Sequence, residues 1–237
     1  MGSDLGESML RDRIRRAVES AAIASSFVFI FAIVALADDR RQNAPGAFDF
    51  YVLALSWSPT YCEARKARAG KLAPDPQCSG RPFAFVVHGL WPQYEQGFPA
   101  PRLDRATVGG ALDLMPSPRL IFREWDRHGT CSGLAPHAYF EAVRKARAAV
   151  KIPAEYLAPA EPLDVAPDDV AAAFVKANPG LPQAALAVVC DSSRLTEIRL
   201  CMAKDFTFHD CPSVTSRACK RDTIAMPAVH GEMSGMK

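Results

Sequence analysis

Residues 85–93, FVVHGLWPQ, place a short apolar run directly before a histidine and a glycine. The run at residues 83–87 predicts a core strand, because short apolar segments bounded by turn residues are typical of buried strands. His88 would then lie at the end of this strand, and Trp91 would follow in a loop stiffened by proline. An imidazole beside an aromatic ring suits proton transfer, although a histidine at a strand end is more often a structural residue.

Outward from this strand, the sequence predicts a mixed chain of strands and helices. Apolar or alternating segments predict further strands at residues 48–57, 185–189, 195–202 and 206–208. Apolar spacing with helix start and stop signals predicts helices at residues 103–115, 118–128, 138–150 and 168–178. Prolines and glycines predict loops at residues 62–81 and 92–102. Because the elements do not alternate in regular βαβ units, the pattern favours an α+β fold over a doubly wound sheet.

Residues 123–131, REWDRHGTC, carry a second group of reactive side chains. In a helix, Glu124 and His128 stand four residues apart on one face, with Arg127 beside them. Such a face is commonly a solvated set of ion pairs. The alternative is a phosphate site, in which Arg127 neutralises oxygens, His128 moves a proton and Glu124 tunes it.

The first 37 residues have the pattern of a secretory signal peptide. A basic stretch precedes a charge-free run at residues 21–37, which ends in small residues before turning polar. We expect cleavage after Ala37; the alternative is an uncleaved membrane anchor, for which the run is at the short limit. The acidic start suggests that translation begins at Met9. We expect a flexible lead-in at residues 38–47, one domain at 48–228 and a tail at 229–237.

Composition limits the classes of protein that the chain can belong to. Of 237 residues, 49% are hydrophobic and 23% are charged, which excludes a disordered chain. The formal net charge of +2 excludes binding of polyanions by bulk electrostatics, so any such contact must be local. The seven cysteines make disulfides plausible in an exported chain, and their odd number leaves at least one outside an intrachain bridge. None has the C-x-x-C spacing of a zinc site.

Taken together, FVVHGLWPQ and EWDRHGTC resemble the two active-site segments of the ribonuclease T2 family in residues, order and separation. Further similarity begins at residues 51–57 (YVLALSW), continues through Tyr61-Cys62 and resumes at residues 198–201 (IRLC). The resemblance covers roughly residues 48–219. It implies a central, mainly antiparallel sheet flanked by helices and stapled by disulfides. It also implies an endoribonuclease that acts on single-stranded RNA.

The resemblance implies a role for each histidine. His88 would donate a proton to the leaving 5′-oxygen, and His128 would take the proton of the ribose 2′-hydroxyl. The 2′-oxygen then attacks phosphorus and forms a 2′,3′-cyclic phosphate, which can open to a 3′-phosphate. DNA has no such hydroxyl and is not expected as a partner. Because the nucleophile is already in place, we expect no metal and no cofactor.

At the other active-site positions, some residues of this chain agree with the family pattern and others differ from it. Glu124 matches the family's catalytic glutamate, whereas Arg127 stands where the family usually has lysine. Arg123 stands where many relatives have a histidine proposed to help hold phosphate; arginine can hold phosphate but cannot shuttle protons. Trp91 matches the residue that stacks on a base. Gln93 occupies a variable substrate-binding position, so base preference is not carried over.

The same resemblance implies a disulfide pattern. The implied bridges are Cys62–Cys78, Cys190–Cys219 and Cys201–Cys211. In many relatives the cysteine matching Cys131 pairs with one that lies between the two segments, and this chain has none between Cys78 and Cys131. Cys131 is therefore expected to keep its thiol; the alternative is that it pairs with Cys62 or Cys78.

Two rival interpretations remain open. One is an RNA-binding or inhibitory protein of the same fold, in which the substitutions at Arg123 and Arg127 have abolished catalysis. The other is a metallohydrolase with His88, Glu124 and His128 as metal ligands.

The remaining polar candidates are interpreted as structural. His137 and His209 are read as surface or loop residues, and His230 as part of the tail. A basic cluster is read as a solvated loop; its members are Arg65, Lys66, Arg68 and Lys71. We expect an exported monomer, periplasmic or secreted, that meets a membrane only through its leader.

Overall fold

The computed structural model describes residues 45–68, 75–79, 81–93 and 109–229. These residues contain eleven helices and strands. In chain order the elements are β1 (Phe50–Trp57), α1 (Ser58–Arg68), β2 (Phe85–Gln93), α2 (Pro118–Arg127), α3 (Pro136–Ala148), β3 (Leu163–Val165), α4 (Pro167–Ala177), β4 (Leu186–Cys190), β5 (Leu195–Met202), α5 (Pro212–Thr215) and β6 (Ile224–Met226). Short 3-10 turns lie at Gly109–Ala111, Gly129–Ser132, Ala154–Tyr156 and Gln183–Ala185.

The central sheet holds β2, β1, β5 and β4 in that spatial order, and each neighbouring pair is antiparallel. A second, two-stranded antiparallel sheet joins β3 to β6. The predicted α+β fold with a central antiparallel sheet, flanking helices and disulfides is therefore confirmed. The small β3–β6 sheet was missed, because each of its strands spans only three residues.

The two faces of β1 have different surroundings, because successive side chains of a strand point to opposite sides. Leu53, Leu55 and Trp57 are fully buried in the main core, which also contains side chains of α3 and α4. On the other face, Phe50 and Val52 pack in a smaller cluster with Cys201, Cys211, Trp91 and Val214. Two small residues, Ala54 and Ser56, continue that second face.

Strand β2 contains a bulge at His88. Ala54 of β1 lies opposite Gly89, whereas Leu55 lies opposite Val87, so His88 is the extra residue. Bulges of this kind redirect side chains and are common beside active sites. The prediction that the strand ends at His88 and that Trp91 lies in a loop is wrong, since β2 continues to Gln93. Pro92 is tolerated because β2 is an edge strand of the sheet.

The predicted helices at residues 118–128, 138–150 and 168–178 agree with α2, α3 and α4 to within two residues at each end. The predicted helix at 103–115 lies partly outside the described residues; Gly109–Ala111 forms a 3-10 turn.

Two local predictions are wrong. Residues 62–68 belong to helix α1 rather than to a loop, because the prolines and glycine that suggested a loop come later in the chain. Arg65, Lys66 and Arg68 therefore stand in a last helical turn, where positive charge is favourable. The predicted strand at 206–208 is only a single bridge between Met202 and Phe208. Phe206 breaks the strand with a φ of 69°, in the left-handed region.

The structure contains the disulfides Cys62–Cys78, Cys190–Cys219 and Cys201–Cys211, the pairs that the resemblance implies. Cys131 is buried and keeps its thiol. Burial raises the pKa of that thiol.

Several predictions fall outside the described residues: the signal peptide, most of the lead-in, Lys71, His230 and the rest of the tail. The domain boundaries stay predictions. Among the residues that are described, no helix is both long enough and apolar enough to cross a membrane.

Candidate active site

The carboxylate of Glu124 lies between the two imidazoles. Its side chain comes from α2 and only 2% of the residue is exposed. Nε2 of His88 lies 3.6 Å from one carboxylate oxygen, and Nε2 of His128 lies 3.9 Å from the other. Trp91 donates its indole hydrogen to the second oxygen over 2.7 Å. Residues from β2 and from the end of α2 thus converge on one buried acid.

Helix α2 ends at Arg127, so that His128 is the residue that caps it. The backbone N–H of His128 donates to the carbonyl of Glu124 over 2.9 Å, which closes the last turn. Gly129 follows directly, and a Cβ at this position would collide with the ring of Trp125. The tight passage of the chain past Trp125 holds His128 on the same face as Glu124.

Gly89 allows strand β2 to approach Glu124. A Cβ at this position would overlap both the Glu124 carboxylate and the Trp91 indole nitrogen. The hydrogen bond between those two groups therefore crosses the space that any larger residue would fill. The glycine in FVVHGLWPQ is a steric requirement of the site.

Glu197 and Arg199 belong to the site although no role was predicted for them. Nδ1 of His88 donates to one oxygen of Glu197, which is 8% exposed. Arg199 donates to the other oxygen through Nε at 3.0 Å and Nη2 at 2.9 Å. The available signal was an acid in the middle of a predicted core strand, since acids are seldom buried without a partner.

The two imidazoles have opposite pKa shifts. Burial alone would lower the pKa of His88, but the hydrogen bond and negative charge of Glu197 outweigh it, so the pKa is raised. Burial, followed by the charges of His88 and Arg127, lowers the pKa of His128 to about 4. At mildly acidic pH, His88 is therefore protonated while His128 is neutral.

The pKa values of Glu124 and Glu197 are likewise shifted in opposite directions. Burial raises the pKa of Glu124, against the charge of His88 and the hydrogen bond from Trp91. Burial would also raise the pKa of Glu197, but its bonds and charge interactions with His88 and Arg199 lower it instead. Pairs of titratable groups with diverging pKa values are typical of acid–base catalysis.

The other predicted site residues lie around this centre. The centroids of the Trp91 and His128 rings are 5.1 Å apart. The guanidinium carbon of Arg199 lies 5.2 Å from the centroid of the Trp91 ring. Arg127 is exposed at the end of α2, where its charge reaches Glu124 and His128. Gln93 donates its amide to the backbone oxygen of Trp91 over 3.1 Å.

Two cavities adjoin the centre. The first, about 710 Å³, is lined by His88 together with Arg123, Arg119, Arg65, Tyr61 and Gln77 among others. The second, about 590 Å³, is lined by Trp91, Gln93, Arg199, His209 and Arg217 among others. Arg123 and His88 therefore line the same cavity, while Gln93 and Trp91 line the other. His209, interpreted as structural, contacts Phe50 in that second cavity, with ring centroids 5.3 Å apart.

Comparison with known proteins identifies relatives of one kind, although no family model matches the chain. It is 45% identical over 106 residues to a ribonuclease of Aeromonas hydrophila, across 43% of this chain and 46% of that protein. It is 31% identical over 159 residues to a probable ribonuclease of Haemophilus influenzae, across 60% of this chain and 58% of that protein. The chain thus spans about half the length of these curated relatives.

Solved structures show the same fold. Trichomaglin, described as a novel S-like ribonuclease, matches with a TM-score of 0.62 and 23% identity, over 77% of this chain and 99% of that one. RNase NT in complex with 5′-AMP matches with a TM-score of 0.54 and 23% identity, over 70% and 91%. The fold is therefore that of the S-like ribonucleases. In sequence the chain is similar to curated ribonucleases, and in fold it is similar to solved S-like ribonucleases.

Proposed function

We propose that the chain is an exported endoribonuclease that cleaves single-stranded RNA through the ribose 2′-hydroxyl. The observation that carries this proposal is the pair of Nε2 atoms, of His88 and His128, facing opposite oxygens of Glu124 at 3.6 and 3.9 Å. One imidazole is poised to donate a proton and the other to accept one. Relatives named ribonuclease support the activity, and a similar fold holding 5′-AMP supports a nucleotide ligand.

The reaction uses both histidines in one displacement. Neutral His128 takes the proton of the 2′-hydroxyl, and the 2′-oxygen forms a bond to the adjacent phosphorus. The bond from phosphorus to the 5′-oxygen breaks as protonated His88 gives its proton to that oxygen. The products are a 2′,3′-cyclic phosphate and a free 5′-hydroxyl. In a second step His88, now neutral, takes a proton from water, whose oxygen forms a bond to phosphorus. The bond from phosphorus to the 2′-oxygen breaks as His128, now protonated, returns its proton to that oxygen, and a 3′-phosphate results.

Charged neighbours of the histidines supply electrostatic stabilisation. Arg127 and Arg123, both exposed on α2, lie where positive charge lowers the energy of negative phosphoryl oxygens. Glu124 accepts the hydrogen bond of Trp91, and its negative charge favours the protonated form of His88. Trp91 and Gln93 line the 590 Å³ cavity, where a base can stack against the indole.

Neither a metal nor a cofactor is required by this chemistry. The nucleophile is part of the substrate and lies next to the phosphorus that it attacks, so no bound water has to be activated. Three disulfides in the described chain support export, since such bridges persist in oxidising compartments. We therefore propose that the mature protein acts in a periplasm or outside the cell. That it is a monomer stays a prediction.

The test uses a short RNA and its DNA counterpart, each incubated with the purified chain in EDTA. We expect RNA fragments that end in cyclic phosphates, and intact DNA. His88→Ala and His128→Ala should each reduce cleavage by about 10²- to 10⁴-fold, the usual contribution of a general acid or base. The matched control is His137→Ala, because His137 is exposed on α3, and it should cleave normally.

Three outcomes would contradict the proposal. Full cleavage by the variant lacking both histidines would exclude acid–base catalysis by this pair. Loss of wild-type activity in EDTA would favour a metallohydrolase. Tight binding of RNA without any product would favour a binding protein of the same fold. Circular dichroism of each variant separates loss of catalysis from loss of folding.

A further inference from the structure

Glu197 reaches His88 across an intervening strand. The acid is on β5 and the histidine is on β2, with β1 between them in the sheet. On β1, Ser56 lies opposite Glu197 and Ala54 lies opposite Arg199. Directly opposite residues share a face of the sheet, so these two small side chains leave the space that the longer ones cross. The arrangement depends on two small residues at two adjacent positions of one face.

Both oxygens of the Glu197 carboxylate have partners. One accepts from Nδ1 of His88, and the other accepts from Nε and Nη2 of Arg199. Because an ionised carboxylate only accepts hydrogen bonds, Nδ1 of His88 must carry a proton. The remaining ring nitrogen, Nε2, is then the atom that gains or loses a proton, and it faces Glu124.

We infer that Glu197 is a positioning residue for the proposed RNA cleavage: it holds the Nδ1 hydrogen of His88, so that proton transfer to the substrate occurs at Nε2, while Arg199 fixes the carboxylate. This inference rests on the proposed function. A carboxylate that orients a histidine in this way fixes both its tautomer and its ring plane. Neither residue touches the reacting phosphate in this scheme.

The charges around His88 predict whether its pKa rises or falls when Glu197 or Arg199 is replaced. Glu197 from β5 and Glu124 from α2 favour the protonated ring, whereas Arg199 disfavours it. His128 is coupled to the ring by charge. Further charged or titratable groups line the same cavity, namely Tyr61, Arg65, Asp75, Arg119 and Arg123. Removing the acid and removing the arginine must therefore move the pKa of His88 in opposite directions.

The experiment measures the imidazole titration of His88 by NMR, with its signal identified by loss in His88→Ala. Glu197→Gln should lower the pKa of His88 and move the basic limb of kcat/KM to lower pH. Arg199→Met should raise that pKa. Glu161→Gln makes the same chemical change at an exposed position and should leave the titration unaltered.

Activity gives a second readout. Glu197→Gln should lower kcat/KM at neutral pH by about 10- to 100-fold, by analogy with the loss when a partner that orients a metal-bound histidine is removed. An unchanged titration in Glu197→Gln, or shifts of the same sign in both variants, overturns the inference. If the wild-type chain cleaves RNA and the titration of His88 is unchanged in Glu197→Gln, this inference is refuted and the proposed function is unaffected. A wild-type chain that cuts no RNA refutes the proposed function, and the inference with it, even if the titration moves.

Discussion

Replacing Gly89 with alanine adds one methyl group at the most crowded point of the site. The new Cβ would overlap the Glu124 carboxylate and the Trp91 indole nitrogen, which are joined by a hydrogen bond of 2.7 Å. Gly89 is not among the residues with positive φ, so alanine adds no backbone strain. The whole effect must therefore come from displacement of these two side chains.

The expected loss of stability follows from what is displaced. Forcing an extra methyl group into a packed region costs about 1–3 kcal/mol. A hydrogen bond to a charged group contributes about 1.5–3 kcal/mol. The same movement causes both losses, so they do not simply add. We expect Gly89→Ala to lower the free energy of unfolding by roughly 2–4 kcal/mol.

Urea unfolding with the disulfides intact measures this loss, provided that the m-value is unchanged. Gly110→Ala is the matched control, because a Cβ there meets no heavy atom within 4 Å among the described residues. Its effect should stay within about 1 kcal/mol. Cleavage should also fall in Gly89→Ala alone, since Glu124 and Trp91 both adjoin His128.

Equal stability of Gly89→Ala and Gly110→Ala would refute this reasoning. It would mean that β2 and α2 can separate at no cost, and that the close approach of Gly89 to Glu124 does not constrain the site. A destabilised but fully active Gly89→Ala would show that the hydrogen bond from Trp91 to Glu124 is not needed for catalysis.

Two further predictions concern pH and covalent structure. The profile of kcat/KM should be bell-shaped: activity rises with pH through the His128 pKa of about 4 as the base is freed, and falls above the ordinary histidine value as His88 loses its proton. An acidic limb centred on the ordinary histidine pKa would contradict the assignment. Replacing Cys190 and Cys219 with serine opens a bridge between residues 29 positions apart and should lower the free energy of unfolding by roughly 3.5 kcal/mol. A loss below about 1 kcal/mol in urea unfolding would show that the bridge hardly restricts the unfolded chain.

Much of the fold was predictable because its signals are local. Helix α2 has a proline in its first turn and a glycine soon after its end, and both boundaries were predicted within one residue. Strand β1 was predicted from its apolar residues alone. Errors arose where local signals conflicted with tertiary context. Pro92 suggested a loop, yet it lies in β2 because an edge strand does not need its N–H.

The sequence by itself determined which side chains share an element. The spacing of Glu124 and His128 places both on one face of a helix, since residues four apart meet there. The two motifs also identified His88 as the partner of His128 in the proposed chemistry. The first relation depends on residues within a few positions of one another, whereas the second came from the resemblance of the two motifs to a known family.

Only the tertiary structure decided how the elements meet. The bulge at His88, the approach of Gly89 to Glu124 and the bond from His88 to Glu197, 109 positions away, arise from strand register and packing. Strand alternation alone does not say that the single acid of β5, Glu197, will meet a histidine two strands distant. That contact forms because β1 offers small side chains at the two positions between them, which becomes visible only once the strands are paired.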